Sequence, residues 1–460
     1  MGVNDALILK EFAVINQGFF DEWEFVDANA DLKFEPDPSI NNDKYACLKS
    51  YFIFLENATN QKQPWGLLNG MRPIKLVHGM KKQGIVDKKI YNEFKKKYAV
   101  SSEKLDLILD IANHQLKVIP NLYHLEKEVS IYIGIPFCPT RCAYCTFSAY
   151  AYAPNQKWVA PFLDSLLTEI KIIGHYLKEK KIKVTSIYIG GGTPTILSED
   201  SLKSVLTALY ENIASPYEVR EITVEAGRPD TITREKLKLL KEFHVNRLSI
   251  NPQSFNQKTL DKIGRHHLVE DVIEKFNMAK DIGIKNINMD LIVGLPDEKK
   301  EELLSSLAQI RNLQPESLTV HMLAFKRKSE ISNDRKGFIV ASKNVLKAMA
   351  QMTYEFTKQE AYVPYYLYRQ KNIAGNMENI GYSKAGCESV YNILMMEEAQ
   401  NILGLGVQAS SKFLIGESMH NPKDLKTYIQ NYETYAMKKL ELLESSMVIG
   451  ARSFTYNPPV

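Results

Sequence analysis

The chain has 460 residues, 45% hydrophobic and 24% charged, and its 58 lysines and arginines against 54 acids leave a net charge of +4. This is an ordinary globular composition, which excludes a fibrous repeat or a short disordered peptide. At roughly 150 residues per domain the length suits about three domains, or one large catalytic domain with additions at both ends.

In chain order, residues 1–40 carry nine acids against Lys10 and Lys33, and Phe34-Glu35-Pro36-Asp37-Pro38 with Asn41-Asn42-Asp43 reads as a turn-rich linker. Asp5, Lys10 and Glu11 interrupt the opening segment where a signal peptide needs an apolar run, and no apolar stretch of about 18 residues follows, so a cytoplasmic protein without membrane partners is expected. Residues 81–104 hold eight lysines against three acids. These lysines interleave with Ile85, Val86, Ile90, Tyr91 and Phe94, which suits the wet faces of amphipathic helices better than a nucleic-acid surface. Residues 1–125 are read as an N-terminal accessory domain.

From 126 to 330 the pattern changes to short β-branched runs alternating with segments of helical period. The runs are Ile131–Ile135, Val184–Ile189, Glu221–Ala226, Arg247–Asn251, Asn286–Val293 and Ser317–Ala324, with apolar residues expected on both faces. Six such units predict an α/β fold, a partial (β/α)6 TIM-like barrel with its site at the C-terminal strand ends. Residues 331–448 read as a mainly helical domain covering the substrate, with Ser342–Gln359 and Asp424–Glu444 as its long helices, and 449–460 as a loose tail.

The strongest chemical signal is Cys138-Pro139-Thr140-Arg141-Cys142-Ala143-Tyr144-Cys145, directly after the first strand. Three thiols on one loop are soft ligands suited to an iron–sulfur cluster, and a 4Fe–4S cubane held by three cysteines keeps one iron open for a substrate. A zinc site usually takes a fourth ligand in paired knuckles. Neither Cys47 nor Cys387 has a cysteine nearby, and both read as core residues, Cys387 being an outside candidate for function. Gly190-Gly191-Gly192-Thr193 ends the second strand, where a tight turn or a close approach of backbone to ligand needs no side chain. Glu225, Gln253, Arg265 and Asp290 mark successive strand ends. Polar side chains at successive strand ends of one barrel suit a polar ligand there, and Arg265 suits a carboxylate through its bidentate fork.

The CxxxCxxC loop resembles that of the radical S-adenosylmethionine superfamily. The resemblance implies a 4Fe–4S cluster on Cys138, Cys142 and Cys145 that chelates S-adenosylmethionine and cleaves it by one electron to a 5′-deoxyadenosyl radical. It also implies cofactor contacts from Tyr132, Tyr144, Gly191, Gly192, Thr193, Glu225, Gln253, Arg265, Asp290 and Ala324. Ile133–Cys138, Gly190–Thr195, Gln253 with Arg265 twelve residues on, and Met289–Pro296 are similar in order and spacing to the oxygen-independent coproporphyrinogen III oxidase group. Trp65–Pro73, Glu225–Asp230, Ser249–Gln253 and Tyr365–Asn372 look like its HemZ-type branch, the coproporphyrinogen dehydrogenases.

The implied reaction is oxidative decarboxylation of coproporphyrinogen III to protoporphyrinogen IX in haem biosynthesis, with an electron donor such as flavodoxin or ferredoxin. The oxidase branch has a further cysteine where this chain has Phe147. Related branches with Phe there include haem-binding chaperones, and other relatives bind two S-adenosylmethionine molecules for methyl transfer or macrocycle opening. No catalytic side chain is assigned, because the radical belongs to the cofactor. A substrate bearing four propionates calls for cations at the barrel mouth, and Arg228, Lys326, Arg327, Lys328 and Arg369 are candidates, the alternative being a solvated charge run. His321 reads as a core histidine or a catalyst; His266 and His267 have no assigned role.

Overall fold

The computed structural model describes residues 11–13, 15–16, 19, 44–68, 72–146, 149–213, 215, 218–325, 329–334, 337–370, 373 and 376–450. Two compact units emerge, one formed by 1–114 with 367–369 and the other by 115–366 with 370–460. The first holds helices α1 (Lys44–Thr59), α2 (Pro73–Lys82), α3 (Asp87–Tyr98) and most of α4 (Ser102–Val118). Ile90 and Phe94 bury one face of α3 while Lys88, Lys89, Lys95 and Lys96 stay in solvent. Gly66 adopts φ +55°, and a Cβ there would lie 2.1 Å from Tyr98 O, so the Trp65–Leu68 turn requires glycine. Of the Trp65–Pro73 motif, residues 69–71 lie outside the described residues, as does the linker expected at 34–43.

The second unit is built on an eleven-stranded sheet of order β13-β12-β11-β1-β4-β5-β6-β7-β8-β10-β9. All six β-branched runs are strands: β1 (Glu128–Ile135), β4 (Lys183–Gly191), β5 (Glu221–Glu225), β6 (Arg247–Ser249), β7 (Asn286–Val293) and β8 (Ser317–Met322). They pair parallel in that order. Their crossovers carry α5 (Val159–Glu179), α6 (Glu199–Asn212), α7 (Arg234–Glu242), α8 (Val269–Ile282) and α9 (Lys300–Leu313). The two tiny strands β2 (Phe137–Cys138) and β3 (Tyr150–Ala151) form a separate pair.

The C-terminal segment has long helices, α10 (Lys343–Gln359) and α12 (Leu425–Gly450), and the shorter α11 (Val390–Glu397). It also supplies five strands that helical periodicity did not reveal. β9 (Val363–Tyr368) and β10 (Asn379–Ser383) extend the sheet beyond β8, and β12 (Ser410–Lys412) and β13 (Ser418–His420) close the other edge. β11 (Asn401–Gly406) is a seventh parallel strand, lying beside β1. Gly406 at φ +90° and Gly404 break its apolar alternation, which hides it from a sequence reading.

The expectation of apolar residues on both sheet faces is corrected. One face is apolar, with Ile131, Ile133, Ile187, Ile189, Ile222, Val224 and Leu248 each at most 1% exposed. The alternate positions are polar: Ser130, Tyr132, Ser186, Tyr188, Thr223, Glu225, Arg247, Ser249, Asn288 and Asp290. These groups satisfy each other across the strands. Ser130 bonds Ser186 (2.7 Å) and Gln400 (2.6 Å); Arg247 donates to Asn286 (2.8 Å) and Ser317 (2.9 Å); Asn288 donates to Ser249 (2.9 Å) and Asp290 (2.8 Å). The Cys387 carbonyl accepts from Arg247, Asn286 and Ser317, so this cysteine serves the fold through its backbone.

A single buried carboxylate ties the last helix to this unit. Glu169 on α5 accepts from Gly406 N (2.9 Å), Asn421 (3.3 Å), Tyr428 OH (2.7 Å) and the Lys439 ammonium on α12. Glu169 is 0% and the Lys439 side chain 1% exposed. Removing one partner of such a pair strands the other charge in the interior. Glu169→Ala is therefore expected to destabilise the fold by about 3–5 kcal/mol in chemical denaturation, with Glu169→Gln costing less because its carbonyl can still accept from Gly406 N and Tyr428 OH, although Lys439 loses its counter-charge.

Candidate functional site

The cysteine loop leaves β1 at its C-terminal end and is pinned at several points by neighbouring loops. Ala143 N donates to Ile263 O (3.0 Å), Tyr150 N to Pro136 O (2.7 Å) and Cys145 N to Cys142 O (3.0 Å). Thr140 Oγ1 donates to Gly264 O (3.1 Å) and accepts from Arg228 Nη1 (2.9 Å). Burial pushes the Cys138 thiol up to about 11, against the lowering contact with Thr193 Oγ1 at 3.4 Å. Among the described residues no three His, Cys, Asp or Glu side chains form a group ready to hold a single metal ion.

The glycine run is stitched to this loop: Gly192 N donates to Ile135 O (2.7 Å) and Thr193 N to Phe137 O (2.8 Å). Each glycine answers a different demand. A Cβ on Gly190 would lie 2.9 Å from Glu225 Oε2; one on Gly191, at φ +110°, 2.8 Å from Ile135 O; one on Gly192, 2.5 Å from Phe137 O and 3.0 Å from Cys138 Sγ. A side chain at Gly190 would displace Glu225, and one at Gly191 or Gly192 would push the second strand off the end of β1 or fill the space beside the thiol.

The expected polar set gathers at the ends of β5, β6 and β7. Tyr188 OH donates to Glu225 Oε1 (2.6 Å). Burial raises the Glu225 carboxyl to about 7, Asp290 adding to the rise while Tyr188 and the Gly191 N–H oppose it. Asp290 is also pushed upward by burial, but hydrogen bonds and charge from His321, with bonds from Asn288 and Thr319, hold it below its usual value. His321 Nε2 lies 3.7 Å from Asp290 Oδ2, so this histidine faces the polar interior. Gln253 adopts φ +66° and is clamped by Gln253 N to Asp290 O and Ile292 N to Gln253 O, both 2.9 Å. Ala324 forms an isolated bridge with Ile373.

Arg265 is 4% exposed and reaches from the loop after β6 to the cysteine loop. Its Nη2 donates to Gly227 O and Asn251 O, both 2.6 Å, and its Nη1 to Tyr144 OH (3.3 Å), while Nε is buried without a hydrogen-bond partner. His267, two residues on, is 2% exposed with neither ring nitrogen bonded. Burial, then Arg265 and Arg228, depress it to about 3, so it is neutral.

Two candidate substrate cations have their guanidinium groups engaged by other protein groups. Arg228 is 3% exposed and its fork closes on Asp230 through Nε and Nη2, both 3.1 Å, with Nη1 on Thr140; it braces the cysteine loop and has no face for a propionate. Arg369 belongs to the first unit, its guanidinium 5.0 Å from the Trp65 ring centroid and bonded to Leu68 O. Lys326, Arg327, Lys328 and Phe147 lie outside the described residues. Sequence reasoning missed Tyr188, Tyr391 and Asn251 as site residues. The alternation of Tyr188 with Ile187 and Ile189 was the available signal; Tyr391 had none.

The sequence profile of the radical SAM superfamily matches residues 132–310. The chain is 48% identical over 399 residues to the oxygen-independent coproporphyrinogen-III oxidase-like protein HemZ of Bacillus subtilis, covering 86% of this chain and 80% of that one. It is 33% identical to the heme chaperone HemW of Bacillus subtilis, covering 70% and 83%. Among solved structures, the coproporphyrinogen III oxidase HemN of Escherichia coli, a radical SAM enzyme, superposes with a TM-score of 0.56 at 25% identity, covering 70% and 72%.

Because the folded Glu225 carboxyl titrates near 7, well above its value in the unfolded chain, the stability it contributes is complete below the unfolded value and is lost as pH rises through about 7. The apo protein with Glu225→Gln should gain melting temperature over the parent at pH 8, and gain little at pH 5. Thermal scans at the two pH values measure the difference.

Proposed function

Because the chain belongs to the radical S-adenosylmethionine superfamily and is a radical SAM enzyme of the HemN and HemZ group, we propose that it decarboxylates two propionates of coproporphyrinogen III to give protoporphyrinogen IX. In this reading Cys138, Cys142 and Cys145 hold the 4Fe–4S cluster, and S-adenosylmethionine lies across the ends of β4 to β8. The observation that carries the site assignment is the joint between cysteine loop and glycine run, where Gly192 leaves space beside Cys138 Sγ and backbone bonds fix the spacing. Thiols spread along a loop suit a polynuclear cluster, in which each sulfur meets its own iron, better than one tetrahedral ion. A thiol held as high as Cys138 ionises when a metal displaces its proton.

Cluster and S-adenosylmethionine together supply the one-electron cleavage that yields a hydrogen-abstracting carbon radical. The protein's own residues bind and orient. Arg265 offers its unpaired Nε to an acceptor such as the cofactor carboxylate. Glu225 and Asp290 offer acceptors to hydroxyls or an ammonium, and Gly191, Gly192 and Thr193 bring backbone close. Tyr132, Tyr144, Gln253 and Ala324 complete the contacts. A low-potential donor of the flavodoxin or ferredoxin kind provides the electron. Substrate carboxylates are met by Lys326 and Arg327, since Arg228 and Arg369 are engaged elsewhere.

One second reading has a specific observation behind it. The 33% identity to the heme chaperone HemW spans 83% of that protein, which favours haem binding by the same scaffold.

Anaerobic incubation of the reconstituted chain with S-adenosylmethionine, reductant, coproporphyrinogen III and an electron acceptor decides between them. The expected result is substrate-dependent 5′-deoxyadenosine with two successive losses of carbon dioxide from the tetrapyrrole. Deoxyadenosine without a mass change, together with haem retained through purification, would favour the chaperone. Replacing Cys138, Cys142 or Cys145 by alanine should each remove most of the iron, read by metal analysis, and lower deoxyadenosine formation by about 100-fold, the scale on which loss of a metal-site group is felt.

A further inference from the structure

Three tyrosines from distant parts of the sequence stack inside the half-barrel beneath Glu225. Tyr132 on β1 and Tyr188 on β4 are register partners, with ring centroids 6.1 Å apart and planes 17° from parallel. Tyr391 on α11 lies against both, 4.7 Å from Tyr188 at 28° and 6.3 Å from Tyr132 at 26°. What brings Tyr391 there is a second carboxylate on the strand that carries Glu225. Glu221, at the start of β5, accepts from Ser389 Oγ (2.9 Å), Val390 N (2.6 Å) and Tyr391 N (3.3 Å), capping α11 at its positive end. One short strand thus ends in two acids with different tasks, Glu221 anchoring the helix and Glu225 facing the site.

The stack fixes the Tyr188 ring, and the ring fixes the direction of its O–H, which donates to Glu225 Oε1. Gly190 lets the other oxygen, Oε2, stand where a Cβ would be 2.9 Å away. We propose that Tyr188, held in place by Tyr391, is a positioning residue that locks one oxygen of Glu225, stabilises its charge and leaves Oε2 for the cofactor's hydroxyls or ammonium. The proposal rests on the cofactor reading above.

The groups that face Glu225 are Tyr132, Tyr188, Tyr391, Asp290 and the Gly191 N–H. Of these, only Tyr188 and Gly191 favour the ionised carboxylate, while Asp290 and burial oppose it. Losing the phenol therefore moves the titration of Glu225 upward, and a ligand that needs the carboxylate binds less well until the pH is raised.

The test is equilibrium dialysis of S-adenosylmethionine on the cluster-loaded full chain, without reductant, from pH 6 to 9. Tyr188→Phe is expected to weaken binding about tenfold at pH 7, the scale of a hydrogen bond to a charged group, and to shift the pH midpoint upward, with the deficit closing at pH 9. Glu225→Gln should bind weakly with no midpoint, and adding Tyr188→Phe to it should cost nothing more. If Tyr188→Phe fails to take up iron, Tyr391→Leu, which keeps the phenol and removes its stacking partner, should move the midpoint the same way by less. An unchanged midpoint in these variants, or an equal loss from Tyr188→Phe in the Glu225→Gln background, overturns the positioning role. If Glu225→Gln binds as the parent does, or the parent does not bind, the cofactor reading itself falls.

Discussion

A sheet face made of serine, tyrosine, threonine, glutamate, arginine and asparagine can be enclosed only if its polar groups find partners, because each one left unpaired costs about 1–3 kcal/mol. That constraint organises the half-barrel. Ser130 with Ser186, Arg247 with Asn286 and Ser317, and Asn288 with Ser249 form hydrogen-bonded rungs across the strands, while Gln400 adds to Ser130 and Asn288 also donates to Asp290 on its own strand. Gln400 comes from the segment after the six β/α units, and so do the Cys387 carbonyl and Tyr366, whose hydroxyl reaches Thr319 at 3.4 Å. The C-terminal residues are therefore part of the interior of this unit as well as its edge.

The same network sets the electrostatics of the site. Asp290 has His321, Asn288 and Thr319 to hold its charge, whereas Glu225 has Tyr188 and one backbone N–H against burial and the nearby Asp290. The two acids lie on β5 and β7, either side of β6, yet differ in readiness to ionise, and the difference comes from their partners. A carboxyl kept near its titration point in the apo protein lowers stability at high pH, a cost characteristic of a group kept for binding.

Around the cysteine loop the positive residues divide the work. Arg228 is consumed by Asp230 and Thr140 and holds the loop in place. Arg265 spends two donors on carbonyls and one on Tyr144, while its buried Nε has no hydrogen-bond partner. The short distances at the glycine run make the rest possible, since a side chain at Gly191 or Gly192 would push β4 off the end of β1 and the cysteine loop, and one at Gly190 would displace Glu225 and Tyr188.

The sequence by itself determined the six parallel strands, their order, and the identity of the cysteine loop, the glycine run and the strand-end acids. Each of these is a local pattern: β-branched runs between helical periods, thiols at fixed spacing, glycines where backbones touch. It did not reveal that one sheet face is polar, although the residues of Ser130-Ile131-Tyr132 and Ser186-Ile187-Tyr188 alternate openly, because their hydrogen-bond partners come from other strands. Arg228 read as a substrate cation because its charge is visible in sequence and its salt bridge is not. The strand β11, the anchoring of α11 on Glu221 and the approach of Tyr391 to Tyr188 were decided only by tertiary structure. These contacts join residues some 170 to 270 positions apart, and no local period records which distant group will satisfy a buried one.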